Sequence, residues 1–416
     1  MEKNLSKKAD VKAPSSLSQV PKDIWVIGIA TTLMTISAVM IFTLTPLFLK
    51  NVLGASMKDI GFLDGVVESI ALISRMFSGV ISDYFGKRKF LMLMGYGLTT
   101  AVKPIFALAT GVGWIFFARF TERVGNGLQA APREALVGDL APVHLRGTCY
   151  GLRQSLTKFG SVAGALLTWY LMDSTENDYR FIFWIASFPA IIGMVILALF
   201  VKDKETPKAR KKKALDANDK SRHPIHFSDI KRLGPAFWAV MGVVSIFTLS
   251  HCSESFLSLR AEHLGLEEKH VPSIMVVMNI VIVFIAYYSG ELSDRVGRKI
   301  FLVIGFSAQL LSLLVLAFAT SWEWVIAGVV LWGLQMGTTQ GILMTIVVDT
   351  TPEDLHGTAF GVFYLISGVS LFFASLFTGH LWHAYDPLYA FGACAVVAAI
   401  SVGLLWFLKL PKIQKS

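Results

Sequence analysis

Charge is scarce in this sequence. Only 16% of its 416 residues are Asp, Glu, Lys or Arg, whereas soluble domains usually hold about a quarter. Uninterrupted apolar runs occupy much of the chain, as in "FPAIIGMVILALFV" (188–201) and "FLVIGFSAQLLSLLVLAFA" (301–319). Neither run has a polar face, which is typical of membrane-spanning helices and not of the amphipathic helices of soluble proteins. The sequence therefore predicts an all-α polytopic membrane protein.

Cysteine is also rare, with Cys149, Cys252 and Cys394 at scattered positions. No CxxC spacing occurs, which argues against a disulfide framework and against a zinc site. No catalytic constellation stands out, so we expect neither an enzyme nor a bound cofactor or metal. The net charge of +9 does not indicate a nucleic-acid partner, because the basic residues gather between apolar runs.

Twelve helical spans follow from the apolar runs, each about 20–28 residues long and able to cross a bilayer with some tilt. They lie at residues 24–49, 58–83, 89–110, 113–140, 145–172, 180–201, 235–262, 270–294, 299–319, 322–349, 356–383 and 386–410. A polar linker divides them into two groups of six. The predicted domains are an N-terminal tail (1–23), a six-helix bundle (24–201), the linker (202–234), a second bundle (235–410) and a C-terminal tail (411–416).

Lys and Arg concentrate in the tails and in alternate loops, and the intervening loops hold only Lys50, Lys58, Arg180, Arg260 and Lys269. By the positive-inside rule, both termini and the linker lie in the cytoplasm. The first 23 residues are polar and lack a short apolar core, which predicts a cytosolic tail and not a cleaved signal peptide.

The two halves repeat each other. "SGVISDYFGKRKF" (78–90) matches "SGELSDRVGRKIF" (289–301), and "GDLAPVHLRGTCYG" (138–151) matches "VDTTPEDLHGTAFG" (348–361). The two offsets, 211 and 210 residues, nearly agree. Duplicated halves with a site between them at the midplane are a design of membrane transporters.

The first repeated pair resembles the cytoplasmic loop motif of the major facilitator superfamily, G-x-x-x-D-R-x-G-R-[RK]. The second copy matches fully, whereas the first has Tyr84 in place of the motif's Arg. The segment "RVGNGLQAA" (123–131) is similar to the family's R-x-x-Q-G-x-x-A-A pattern, with Asn126 in place of Gln. The resemblance implies two six-helix halves that work by alternating access, with a cytoplasmic gate at Gly79, Asp83, Gly86, Arg88, Gly290, Asp294, Arg295, Gly297 and Arg298.

Charged residues inside the spans are costly and indicate function. Asp64 and Glu68 share one face of span 2, while Arg119 and Arg123 share one face of span 4. Basic residues outnumber acidic ones within the spans of the first half, and an anionic substrate could balance the surplus. We expect substrate contacts from Arg123, Lys158, Lys103, Arg119, Asn126, Gln335 and Asn279, and proton coupling through Glu68, Asp64, Glu122 or Glu254. Nearer the cytoplasm, Arg75, Arg133, Glu134 and Arg153 are expected to form structural ion pairs.

The predicted function is proton-coupled symport of a small organic anion across a bacterial inner membrane by a monomeric protein. A polycarboxylate or a carboxylate siderophore would suit cations at several depths. One alternative is proton-driven efflux of drugs or metabolites, although span 5 reads "GSVAGALL" (160–167) where drug antiporters of the family show G-P-x-x-G-G. A second alternative is a non-transporting sensor of the same fold.

Overall fold

The computed structural model describes residues 19–85, 88–142, 146–201, 230, 232–352 and 355–407. Within these ranges the chain is helical and contains no strand. The first half contains α1 (Lys22–Leu47), α2 (Met57–Phe85), α3 (Arg88–Ala101), α4 (Lys103–Leu108), α5 (Val112–Leu140), α6 (Arg146–Ser174) and α7 (Tyr179–Phe200). A short π-helix, Phe48–Val52, extends α1.

The second half contains α8 (Pro235–Leu249), α9 (Ser255–His263), α10 (Pro272–Val296), α11 (Arg298–Phe318), α12 (Trp322–Asp349), α13 (His356–Ala384) and α14 (Pro387–Phe407). Pro235, Pro272 and Pro387 each stand at the first helical position, where proline removes no helical hydrogen bond. Gly297, between α10 and α11, has a φ of 109°, a left-handed conformation that glycine adopts readily.

Two of the predicted spans are interrupted. The third is divided at Val102 into α3 and α4, and Pro104 lies at the start of α4. The seventh is divided between Leu249 and Ser255, within the polar segment "SHCSE" (250–254). Counting each interrupted pair as one crossing, the described helices are consistent with twelve spans. Eight described segments are long and apolar enough to cross a membrane by themselves.

Small residues bring the two halves close together where α2 packs along α13. A Cβ at Gly61 would lie 2.6 Å from the Ser375 carbonyl oxygen, and a Cβ at Gly65 would lie 2.9 Å from that of Phe372. Only glycine therefore permits this approach of the two backbones.

The predicted cytoplasmic gate is described only in part. Gly86 lies outside the described residues, and the structure does not describe the side chains of Asp83, Asp294 and Arg295 or the surroundings of Gly79 and Gly290. Arg88 begins α3 and Arg298 begins α11. The Arg298 guanidinium pairs with the Asp349 carboxylate at the end of α12, so this part of the motif joins two helices of the second half.

Candidate transport site

Two cavities lie between the halves, with volumes of about 310 Å³ and 170 Å³. Val39, Phe42 and Glu254 line both of them, so the cavities share a wall. We call the larger the arginine cavity, because Arg119 and Arg123 line it, and the smaller the lysine cavity, because Lys158 lines it. The larger volume is at the lower end of the range of small-molecule sites.

The arginine cavity contains an ion pair between α2 and α5. The Arg123 guanidinium donates to the Glu68 carboxylate and lies over the ring of Phe42, 6.0 Å from its centroid. Asn126, one turn farther along α5, also lines the cavity and accepts a hydrogen bond of 2.7 Å from Gln129. Helical spacing places Arg123 and Asn126 on one face of α5, and the packing of α2 against α5 brings Glu68 to Arg123.

A second ionic network lies beneath this pair and is almost fully buried. Lys103 donates to Glu122 at 2.5 Å, and the Arg119 guanidinium lies 3.8 Å from both Glu122 and Asp64. Asp64 also accepts a 2.7 Å hydrogen bond from Ser253, which belongs to the second half. The network therefore runs from the core of the first half to the interruption between α8 and α9.

These contacts revise the expected charge balance. The sequence suggested cations left without acids, but Lys103, Arg119 and Arg123 each lie within 4.0 Å of a carboxylate. Lys103 lines neither cavity, is 1% exposed and is paired with Glu122.

Glu254 and Lys158 differ from the other central charges. Neither has an ion pair within 4.0 Å among the described residues. Glu254 stands at the interruption immediately before α9, and Lys158 projects from α6 of the first half. Both line the lysine cavity, so a cation and an acid from different halves face one space.

Some of the neutral polar residues of the second half line a cavity, and others do not. Asn279 lines the lysine cavity and donates to the Met275 carbonyl at 2.8 Å. Gln335 lines neither cavity and donates to Thr339 at 2.8 Å inside the second half. Gln340 lines the lysine cavity; the sequence offered it, with Gln335, as a polar residue that either hydrogen-bonds across the cavity or packs between helices. His251 and Cys252 line the arginine cavity and were not among the expected substrate contacts. The polar segment that interrupts span 7 was the signal for His251 and Cys252.

Nearer the predicted cytoplasmic end, two of the expected structural ion pairs are present. Glu134 of α5 lies 2.9 Å from Arg153 of α6 and 3.3 Å from Arg133. The Glu134–Arg153 pair ties α5 to α6, whereas Arg133 and Glu134 are neighbours within α5. Arg75 is exposed and lines neither cavity.

At the opposite, predicted outer end, polar contacts connect the halves. Lys50 lies 2.9 Å from Glu262, and Asn51 donates to Glu268 at 2.6 Å. Glu268 also accepts a hydrogen bond from Tyr179. We call these contacts the outer contacts. Sequence reasoning did not identify them, because each joins residues far apart in the chain.

A further hydrogen bond crosses the halves at this end. The indole N–H of Trp169 donates to Nδ1 of His270 at 3.0 Å. Together with the outer contacts it joins the two halves at the predicted outer end.

Comparison with known sequences supports a single family. A sequence profile described as Major Facilitator Superfamily matches residues 27–286 and 254–416. A major facilitator-type transporter of Methanocaldococcus jannaschii is 29% identical over 399 residues, covering 94% of this chain and 96% of that one. The two matched ranges include both halves.

Two other relatives carry names that state a substrate. A cis,cis-muconate transport protein of Acinetobacter baylyi is 22% identical, with 80% of this chain and 81% of that protein covered. A gentisate transporter of Corynebacterium glutamicum is 23% identical, with coverages of 82% and 77%. Among solved structures, a peptide transporter superposes with a TM-score of 0.76 at 13% identity, covering 93% of this chain and 94% of that one. At this identity the superposition shows the fold alone.

Proposed function

Because the chain belongs to the Major Facilitator Superfamily, whose members here are membrane transporters and not enzymes, we propose that it carries a small organic anion by alternating access with coupled protons. In this proposal the protein resides in an inner membrane with both termini in the cytoplasm. The polar linker separates two bundles that rock about the cavities.

The observation that carries the proposal is that Lys158 and Glu254 face one cavity, and neither has an ion pair within 4.0 Å among the described residues. A cation that lacks such an ion pair, inside a membrane protein, is a natural site for a carboxylate. The acid that faces the same cavity from the other half can take up a proton when the carboxylate arrives. Protonation there removes a charge, whereas protonating Glu68 or Glu122 would strip a buried cation of its partner.

Two further findings support an anionic substrate. Arg123 borders the neighbouring cavity, and guanidinium groups bind carboxylates in a bidentate way. Two relatives of the chain are named for the transport of muconate and gentisate, which are both organic anions.

The mechanism follows from the contacts between the halves. Opening the outer end requires the outer contacts to separate, among them the Lys50–Glu262 pair. Ser253, which directly precedes Glu254 in the chain, donates a hydrogen bond to Asp64 and so also joins the two halves. Binding at Glu254 can therefore shift the interruption before α9 and weaken this link, which would couple occupancy of the site to opening.

A substrate screen with a matched pair of variants tests the proposal. Thermal stabilisation of the purified protein is measured with organic anions, including gentisate and cis,cis-muconate, and with cationic drugs. Anions should stabilise the wild type and the control Lys58→Gln, whose side chain is exposed at the outer end, but not Lys158→Gln. Stabilisation by cations alone would contradict the proposal.

Counterflow in proteoliposomes separates the alternatives. The proposed symporter exchanges labelled anion across the membrane and accumulates it when the outside is acidic. A drug or metabolite antiporter would expel its substrate under the same gradient, and a sensor would bind the anion without flux.

A further inference from the structure

The charged side chains around the two cavities form a set whose formal charges cancel. Among the residues that the structure describes there, four are basic and four are acidic: Lys103, Arg119, Arg123, Lys158, Asp64, Glu68, Glu122 and Glu254. Three of the acids lie within 4.0 Å of cations. The empty site is therefore neutral, and Lys158 with Glu254 completes the balance across the lysine cavity.

Within the part of the chain that the structure describes, the charged groups that act on Glu254 belong to this set. Lys158 faces it from α6, Arg123 from α5, and Glu68 and Asp64 from α2. His251 and Cys252 precede it in its own segment. Arg75 interacts electrostatically with Arg123 and Glu68. Its side chain is exposed and lines neither cavity, so its charge is screened and is left out of the count.

A bound carboxylate adds one negative charge, which a single proton on Glu254 offsets. A second carboxylate on the same molecule would need another proton, and the remaining acids are engaged with cations. Without that proton, a net charge would remain in the membrane interior, which is costly. The ion pair of Arg123 also removes the reason for expecting a polycarboxylate, since that expectation assumed unpaired cations at several depths.

From this balance we propose that the site takes one carboxylate together with one proton, so the substrate is a monocarboxylate and its transport moves no net charge. The inference rests on the proposed function and specifies its substrate class and its coupling. The loaded site holds the anion at Lys158 and the proton on Glu254. The empty site is neutral again when both have left. Neither the step with the loaded site nor the return of the empty site therefore responds to membrane potential.

The test uses the purified full chain in proteoliposomes, with gentisate as the probe with one carboxylate and cis,cis-muconate as the probe with two. Potassium and valinomycin set the membrane potential independently of the pH gradient. Gentisate accumulation should rise about tenfold for each pH unit of outside acidity and should not change with a potential of about 100 mV. Movement of one charge per cycle would instead change accumulation about fiftyfold at that potential.

The second probe sharpens the result. Uptake of cis,cis-muconate with a single proton should be slowed by an inside-negative potential, because one negative charge is left uncompensated. Potential-dependent uptake of gentisate, or potential-independent uptake of cis,cis-muconate, would overturn the inference. Absence of counterflow for both probes would remove the proposed function and this inference with it.

Variants of Glu254 locate the proton. Glu254→Gln should keep gentisate counterflow but lose accumulation driven by the pH gradient, and its anion flux should become sensitive to potential. Glu254→Asp should retain the gradient-driven accumulation, which also shows that the position tolerates substitution. Glu323→Gln, at an exposed acid at the start of α12, is the matched control and should behave as wild type. Gradient-driven accumulation by Glu254→Gln would overturn the inference.

Discussion

The two halves share one helical framework but fill it with different chemistry. At the repeat offset of 210, Lys103 corresponds to Leu313, and Glu122 corresponds to Trp332. All four side chains are buried. Equivalent helices also pack alike: a Cβ at Gly127 would collide with Ser74, and a Cβ at Gly337 would collide with Ile285. Gly337 matches Gly127 at the offset of 210, and Ile285 matches Ser74 at the offset of 211 that relates α2 to α10.

The difference teaches that the fold does not require the ionic network. The second half packs the same positions with apolar side chains, and buried ion pairs are often no more stabilising than such packing. Under the proposed function, the second half instead contributes one acid, Glu254, which lines both cavities.

The largest effect is expected from giving the first half apolar residues at two positions where the second half has them. Lys103→Leu alone leaves Glu122 with a weakened set of partners in a buried site and should lower the free energy of unfolding by about 3–5 kcal/mol. Lys103→Leu with Glu122→Leu removes both charges and should recover most of that loss. Thermal unfolding in detergent measures both variants. Equal destabilisation by the single and double changes would contradict this interpretation.

The next effect concerns the pair that lines the arginine cavity. Arg123→Gln leaves the Glu68 carboxylate unbalanced next to the substrate and should slow anion uptake about thirtyfold or more. The second half has the neutral Asn279 at the position matching Glu68, so Glu68→Gln combined with Arg123→Gln should restore part of the uptake. Initial rates in proteoliposomes check this. If the double variant were slower than Arg123→Gln alone, the charge-balance explanation would fail.

The smallest effect is expected at the outer contacts, where the two halves meet. The Lys50–Glu262 pair is partly exposed, and such pairs are worth less than about 1 kcal/mol. Lys50→Glu or Glu262→Lys should therefore change the counterflow rate by about fivefold at most. The combined charge swap should return it toward wild type. A swap no better than either single change would show that the pair does not hold the halves together.

The sequence was sufficient for the architecture because apolar length and repeated motifs are local signals. It also placed Glu68 and Arg123 on inward faces, since helical spacing is fixed within one helix. It could not show which acid meets which cation, because that depends on the rotation of one helix against another. The Lys103–Glu122 pair and the link from Ser253 to Asp64 are contacts of this kind.

The interruption before α9 could have been predicted from the sequence. Ser250 and Ser253 flank a short polar segment in an otherwise apolar span, and their hydroxyl groups hydrogen-bond to nearby backbone, which competes with helical bonding. Reading that segment as a break would have placed Glu254 at a helix start facing a cavity. The outer contacts gave no such local signal.

The most direct test of the central claim, that the anion binds together with a proton on Glu254, is the pH dependence of gentisate binding to purified wild type and Glu254→Gln. If binding takes up one proton, the affinity of the wild type rises as pH falls, by about tenfold per unit where Glu254 is deprotonated in the empty site. The affinity of Glu254→Gln should stay constant over the same range. The same pH dependence in both proteins would contradict the account.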